Sequence, residues 1–503
     1  MKYLHTYIGI LLLCIIAPSH ANNIQVSNIS LTGQNTSQGF TMVEFDLAWD
    51  NSWRISVGPS NWDAAWVFVK YRKNKGEWQH AALNYVDGNN DGHNAPSGYT
   101  VKGDNQEAAV FNSGNGVYLY RSTEGSGDIS LQNVQLRWNY ASNGVANSDL
   151  VDVKVFAIEM VHVPQGAFQL GSPANNTLLE RSKFYTYPNL SDTYTISSEA
   201  AITVGTTNGN LYYSGWGDQG SIPAQFPKGY DAFYCMKYEV SQEQWLSFFN
   251  LLTLTQKTNR DITGALRKNS DNVEARNGVS WVSGNNPATT TFPHVPMNFV
   301  SHLDMAAYLD WACLRFMTEL EFTKACRGST TALTGEYAWG GVTMNEIPYR
   351  LSNAGLASER IINPATNIGN ANNRESVDST KWGPMRCGIF AASARTQNSE
   401  ETGGSYFGIM ELSGNLLDVT VLVGHPDGRR YTGAHGNGII NGLGFGTVTN
   451  WPGLRGIGGR GGSYLDRVEY LCVASRNDAV NVPGIDNNIG RDYRGFRGVR
   501  TAP

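Results

Sequence analysis

The chain has 503 residues, with 38 basic and 43 acidic side chains, a formal net charge of −5 and 11% aromatic residues. Charged residues make up 16% of the chain, against about 25% in an average protein, and this composition excludes a disordered chain. The basic residues do not form the clusters on which nucleic-acid binding depends, so we expect no nucleic-acid partner.

The first 21 residues have the pattern of an export signal. Lys2 and His5 precede an apolar run at 8–16, and the small residues up to Ala21 predict cleavage after that position. The run is too short for a stable membrane anchor, and no later segment is long and apolar enough to span a bilayer. We therefore expect an exported protein in the periplasm, at the cell surface or outside the cell, with no membrane span.

Residues 22–157 have the pattern of an all-β region. Apolar and polar side chains alternate at 42–49, 65–71, 134–138 and 150–156, and turn-forming Asn, Gly, Ser and Asp clusters separate these runs. Regular strands without a helical period predict an Ig-like β-sandwich domain over 22–157.

One turn of this region has calcium-loop spacing. Asp87, Asn89 and Asp91 place oxygen-bearing side chains at alternate positions before a glycine, as in the first half of a calcium loop. Gly98 stands where the loop would need a bidentate Glu. A polar hairpin turn explains the same residues, and it is the interpretation that we favour.

The region 158–503 shows helix caps and a set of isolated cysteines. Ser241, Ser301 and Thr318 each begin a capped turn followed by an apolar face, which predicts three short helices. The five cysteines after the export signal lack metal-binding spacing, and their odd number leaves at least one thiol unpaired or bonded to another chain. They are Cys235, Cys313, Cys326, Cys387 and Cys472.

A series of short motifs follows in a fixed order. They are EMVHVPQGAFQLG at 159–171, MKYEVSQ at 236–242, PMNFVS at 296–301, LRFMTELEF at 314–322, CRG at 326–328, YAWG at 337–340, YFGIMELSGNLLD at 406–418, RGGSY at 460–464, ASR at 474–476 and RGFR at 494–497. This order resembles the formylglycine-generating-enzyme (sulfatase-modifying-factor) family. The segment at 428–438 resembles the exported Bacteroidetes-type version of that domain, and 175–230 and 424–458 look like insertions.

The resemblance implies the fold class of the chain. We expect an α+β protein in which residues 158–503 form a C-type-lectin-like formylglycine-generating-enzyme domain with little regular secondary structure. The all-β sandwich would precede this domain.

The family's oxidase chemistry uses two cysteines after the Gly-Gly-Ser strand, and their thiolates bind copper(I). In this sequence Asp466 and Leu471 stand at those positions, and neither side chain can replace a thiolate. The neighbouring Cys472 is one residue out of register, which on a strand points it to the opposite face. We therefore expect no copper and no formylglycine-generating activity, and Ser463, Asp466 and Cys472 are the candidate cleft residues.

The resemblance also implies calcium as a cofactor, because hard oxygen ligands hold an irregular loop in this family. The corresponding residues here are Glu411, Gly414, Leu416 and Asp418, with a second, less complete site at Asn353 and Ala354. A capped turn with two solvated carboxylates is the alternative interpretation.

Two functions remain open from the sequence. The first is a non-catalytic exported protein that binds a peptide, a glycan or a surface-protein partner, since aromatic faces and amide donors suit such ligands. The second is an enzyme with replaced chemistry in the same cleft, using Asp466 or Cys472.

Overall fold

A computed structural model describes residues 23–86, 91–104, 113–175, 180–215, 217–479 and 489–503. Strands predominate over helices and form several sheets, which is compatible with the expected α+β class, whereas the finer lectin-like assignment stays a prediction. The predicted export signal at 1–21 lies outside the described residues. Within the described ranges, no helix has both the length and the apolar character needed to cross a membrane.

The N-terminal region is built from strands, as the alternating runs predict. Each of the four runs falls within a long strand, and residue 150 alone lies just outside its strand. The strands are β1 (Gln25–Asn35), β2 (Phe40–Arg54), β3 (Asp63–Lys73), β4 (Gln79–His80), β5 (Leu83–Asn84), β6 (Tyr99–Asp104), β7 (Ser113–Gly114), β8 (Gly116–Arg121), β9 (Gly125–Trp138) and β10 (Val151–Val163).

The remaining elements are short. The strands are β11 (Phe168–Leu170), β12 (Phe184–Thr186), β13 (Tyr194–Ile196), β14 (Ile202–Val204), β15 (Leu211–Tyr213), β16 (Gly220–Ile222), β17 (Phe233–Met236), β18 (Arg315–Phe316), β19 (Leu351–Ser352), β20 (Arg360–Ile361), β21 (Leu417–Val421), β22 (Ile457–Arg460), β23 (Arg494–Gly495) and β24 (Gly498–Thr501). The helices are α1 (Gln242–Phe249), α2 (Leu254–Arg260), α3 (His302–Trp311), α4 (Glu319–Arg327), α5 (Ile389–Ser393), α6 (Ser399–Thr402) and α7 (Pro426–Arg429).

The three predicted helices begin at their predicted caps. Ser241, Ser301 and Thr318 are the N-cap residues of α1, α3 and α4, and each makes a reciprocal capping box. A fourth capping box at Thr253 begins α2, which the sequence analysis did not predict.

Two sheets form the N-terminal region. One has the order β1-β2-β9-β5-β7, and the other has the order β18-β24-β17-β10-β3-β8-β6, with β4 paired to β3. Side chains from β2, β5 and β9 meet side chains from β3 and β8 in one buried apolar cluster, as in a β-sandwich.

The second sheet does not end at the expected domain boundary. Residue 157 lies inside β10, which pairs with β3 from Val151 to Val161 and with β17 from Met160 to Val163. A single sheet therefore joins strands of the N-terminal region to β17, β18 and β24 of the C-terminal region.

Strand β3 is buried on both faces. Ala65, Val67 and Val69 face the sandwich cluster, whereas Trp66 and Phe68 belong to the large cluster of the C-terminal region. A strand covered on both faces requires a continuous apolar sequence, and the run at 64–69 has this character.

The C-terminal end of α3 is held by buried side chains from two strands. Trp66 Nε1 donates to the Ala312 carbonyl at 2.9 Å, and Lys70 Nζ donates to the Trp311 carbonyl at 2.8 Å. Arg500 of β24 donates to the Cys313 carbonyl at 2.5 Å and pairs with Asp104 of β6. Carbonyls that a helix end leaves unpaired are thus satisfied by other elements.

The shared sheet predicts that the two regions unfold together. Phe45 faces the sandwich cluster and Phe68 faces the other cluster, and both are fully buried. Phe45→Ala and Phe68→Ala should each destabilise the protein by about 3–5 kcal/mol and lower the midpoint of the same single transition. Calorimetry of the mature chain checks this, and two transitions that respond separately would contradict it.

Candidate functional site

The position at which the resemblance places the first family cysteine is occupied by a turn-forming carboxylate. Asp466 Oδ2 accepts hydrogen bonds from Ser463 N at 2.8 Å and from Ser463 Oγ at 2.7 Å, and the Asp466 carbonyl accepts from Arg374 N at 3.0 Å. Burial raises the pKa of Asp466, while the two bonds from Ser463 lower it. The structure therefore brings two of the three candidate cleft residues into direct contact.

The second family cysteine position is apolar. Leu471 is fully buried in a cluster with Tyr337, Trp339 and Met344. Its carbonyl accepts a hydrogen bond from Ser413 Oγ at 2.9 Å. Because the side chain carries only methyl and methylene groups into this cluster, the position offers no metal ligand and no nucleophile.

Cys472 does not replace the missing pair. Its thiol is buried, lies 3.9 Å from the Val468 carbonyl and faces Tyr337. Burial raises the pKa of Cys472 to about 12, which leaves very little thiolate at neutral pH. All five cysteines are buried and free, so no disulfide links any of them.

A second carboxylate near Asp466 was missed in the sequence analysis. Burial, together with the charge of Asp466, raises the pKa of Asp478 to about 6. The Asp478 carbonyl accepts a hydrogen bond from Gly459 on β22, which places this residue beside the strand that leads to Ser463. Twelve positions of sequence separate the two acids, and the separation alone gave no sign of their proximity.

The guanidinium group of Arg497 lies against the expected calcium loop. Arg497 Nε lies 2.9 and 3.1 Å from the two carboxylate oxygens of Asp418. The other nitrogens of this side chain donate at 3.0–3.4 Å to the carbonyls of Met236, Lys237, Met410 and Glu411. Arg497 thus neutralises the carboxylate and satisfies carbonyls of an irregular loop, the two tasks expected of calcium.

The other expected calcium residues have different partners. Glu411 is buried in a left-handed backbone conformation, and its Oε1 accepts from Gly388 N at 2.9 Å. Gly414 N donates to the Gly461 carbonyl, and Leu416 N donates to Glu239 Oε1, both at 2.9 Å.

As arranged, the two carboxylates of this set offer little to a calcium ion. Asp418 is engaged by Arg497, and within the described part of the chain only Glu411 Oε2 is a carboxylate oxygen of this set without a hydrogen-bond partner. No group of three or more His, Cys, Asp or Glu side chains in the described ranges is placed to hold a metal ion. Calcium binding by this loop is not tested by the structure, and the Arg497–Asp418 pair argues against it.

The structure gives little support to the other two expected calcium sites, at 353–354 and at 87–91. Asn353 and Ala354 are exposed, and the Asn353 carbonyl accepts from Leu356 N at 2.9 Å. Asp87 and Asn89 lie outside the described residues, whereas Asp91 is buried and its Oδ1 accepts from Val86 N at 2.5 Å.

Glu411 predicts a pH dependence that also tests for calcium. Burial raises its pKa from 4.5 to about 7, against the opposing effects of Gly388 N–H and Arg497. The folded state holds this proton more tightly than the unfolded state, so the contribution of Glu411 falls as the pH rises from about 4.5 to 7. At pH 8, Glu411→Gln should stabilise the protein by about 1–3 kcal/mol relative to the parent, and near pH 4.5 the difference should vanish.

Thermal melts of both proteins between pH 4.5 and 8 measure this difference. Calcium or a chelator should leave both midpoints unchanged at pH 7.5. A calcium-dependent rise in the parent that is lost in Glu411→Gln would instead place the ion in this loop.

A comparison with known protein families agrees with the resemblance that the motif order indicated. The family model described as "Sulfatase-modifying factor enzyme 1-like domain" matches residues 149–502. No curated protein shows significant similarity to the chain. The matched range covers more than half of the sequence and begins just before β10, the strand that joins the two regions. The chain therefore belongs to the family of proteins with a sulfatase-modifying factor enzyme 1-like domain.

Proposed function

We propose that this chain is an exported, non-catalytic member of its family that acts by binding or scaffolding at the cell surface or in the periplasm. The observation that carries the proposal is the state of the two family cysteine positions. Asp466 is the hydrogen-bond acceptor of a tight turn, and Leu471 is packed in an apolar cluster.

The chemistry of thiols supports a non-catalytic role. Copper(I) is a soft ion that selects sulfur ligands, and thiol exchange requires a thiolate. Burial raises the pKa of each of the five cysteines in the described part of the chain, and for Cys235, Cys313 and Cys472 it reaches about 12. Among the described residues there is thus neither a pair of thiolates nor a single activated one.

The retained motifs have structural roles that do not depend on catalysis. Glu319 pairs with Arg476 at 2.6 Å, and Glu321 pairs with Arg315 at 2.7 Å, all four side chains being buried. Removal of one partner from a buried pair costs about 3–5 kcal/mol, so these residues would be kept for stability after an activity is lost.

Export is supported by the signal pattern at 1–21. The mature chain would then begin at Asn22. An oxidising compartment would leave the five thiols unreacted because they are buried.

One observation favours an alternative, an enzyme with replaced chemistry in the same cleft. Asp466 contacts the Ser463 hydroxyl, and its charge helps raise the pKa of Asp478 to about 6. Neighbouring carboxyl groups with raised pKa values are a recurring feature of acid–base sites. Asp466→Asn would remove the activity of such an enzyme and would leave a binding protein unaffected.

A direct assay decides between the two functions. The mature protein, loaded with copper(I), should form no aldehyde on a Cys-x-Pro-x-Arg peptide, while a formylglycine-generating enzyme serves as the positive control. Turnover that disappears in Cys472→Ser would overturn the proposal.

Thiol titration gives an independent readout. The folded protein should react with an aromatic disulfide reagent at fewer than one site within minutes at pH 8, and the denatured protein should react at all five. A single fast-reacting thiol in the folded state, removed by Cys472→Ser, would point to the alternative.

A further inference from the structure

The two insertions of the C-terminal region meet at a cavity of about 480 Å³. Its lining includes Gln225 from the first insertion, and Asp427, Arg430, Thr449, Asn450 and Trp451 from the second. We call this cavity the insertion pocket. Its size lies in the usual range for small-ligand sites, and none of its lining residues belongs to the Ser463–Asp466 turn.

The insertions are joined by a buried arginine. Arg429 of α7 donates to the Asp218 carbonyl at 2.9 Å, to the Gln219 carbonyl at 3.2 Å and to the Val423 carbonyl at 2.8 Å. Asp218 N in turn donates to the Gly424 carbonyl at 2.8 Å. The pocket is therefore walled by segments about 200 residues apart that are fixed to one another.

One wall of the pocket is a fixed aromatic ring. Trp451 is half-buried, its Nε1 donates to the Ala434 carbonyl at 2.6 Å, and its ring packs edge-on against Phe316 at 5.2 Å. With the indole N–H satisfied inside the protein, the part of the ring that reaches the pocket is apolar and its orientation is set before any ligand binds.

The rest of the lining is polar, and neither of its two guanidinium groups is without a partner. Arg429 is buried and donates to backbone carbonyls. Arg430 is three-quarters exposed and pairs with Asp427, so the charges of this pair cancel. The side chains of Gln225, Thr449 and Asn450 have no hydrogen-bond partner within the described part of the chain, and all three are exposed. Amides and hydroxyls each both donate and accept, whereas the guanidinium only donates and the carboxylate only accepts.

We infer that the insertion pocket binds a neutral saccharide. A sugar ring has an apolar C–H face that suits the Trp451 ring, and its hydroxyls both donate and accept, as the amides and the Asp427–Arg430 pair require. An anionic ligand would meet Asp427, while the Arg430 guanidinium is paired with that carboxylate and the Arg429 guanidinium donates to backbone carbonyls. This inference deepens the proposed binding function and rests on it.

The probe set is a panel of immobilised neutral polysaccharides, namely β-glucan, mannan, xylan and arabinan, with heparin and polygalacturonate as anionic arms. The mature protein should be retained by at least one neutral polymer and by neither anionic one. Soluble oligosaccharides of that polymer then serve for titration by calorimetry.

The variants separate binding from folding. Trp451→Ala should weaken binding at least tenfold, and Trp451→Phe should keep most of the affinity because a ring remains. Gln225→Ala and Asn450→Ala should each weaken binding two- to tenfold without lowering the melting midpoint, since these side chains support no described contact. Asn208→Ala, an exposed residue of the first insertion outside the pocket, and Trp382→Ala, an exposed tryptophan outside it, are the matched controls.

Any of three results would overturn the inference. The protein is retained by no neutral polymer, it is retained only by the anionic polymers, or Gln225→Ala and Asn450→Ala bind the saccharide as tightly as the parent. The aldehyde assay on the Cys-x-Pro-x-Arg peptide is scored separately. A saccharide-binding protein that oxidises the peptide would refute the non-catalytic function alone, and a silent protein without saccharide binding would refute the pocket alone.

Discussion

The structure depends on a strand that is buried on both of its faces. From Asp63 to Tyr71 no residue of β3 is exposed, and successive side chains enter two different apolar clusters. The polar exception near its end, Lys70, donates to the Trp311 and Gly438 carbonyls of the C-terminal region. Such a strand is stable only while layers cover both sides, so the N-terminal region and the family domain are parts of one folded body.

Buried ion pairs fix segments of this chain that regular secondary structure would fix in other folds. Charged residues are scarce in this chain, yet many of them are buried and paired across long sequence distances. Arg500 joins β24 to Asp104 of the N-terminal region, Arg476 joins the first insertion to α4, and Arg497 holds the loop before β21. Each guanidinium donates to a carboxylate and to at least one carbonyl in a fixed direction, which a mobile lysine would not do. Irregular segments are thereby held in one arrangement.

The sequence predicted those features that depend on neighbours in the chain. Alternation located the long strands, and capping residues such as Ser241 and Thr318 located helices, because both signals span only a few residues. Thr253 carried the same signal for α2 and was overlooked. The positions of Asp466 and Leu471 were read from a motif, and the structure adds that Asp466 closes a turn and that Leu471 packs in an apolar cluster.

Features that depend on contacts between residues far apart in the chain could not be predicted from the sequence. The pairing of Arg497 with Asp418 joins residues 79 positions apart, and no local pattern distinguishes a carboxylate that binds a guanidinium from one that binds calcium. The insertion pocket likewise needs Arg429 to bring two remote segments together. Because the Ser463–Asp466 turn and this pocket share no residue, one can change while the other is kept. The fold can therefore lose an active site and acquire a binding site through separate sets of substitutions.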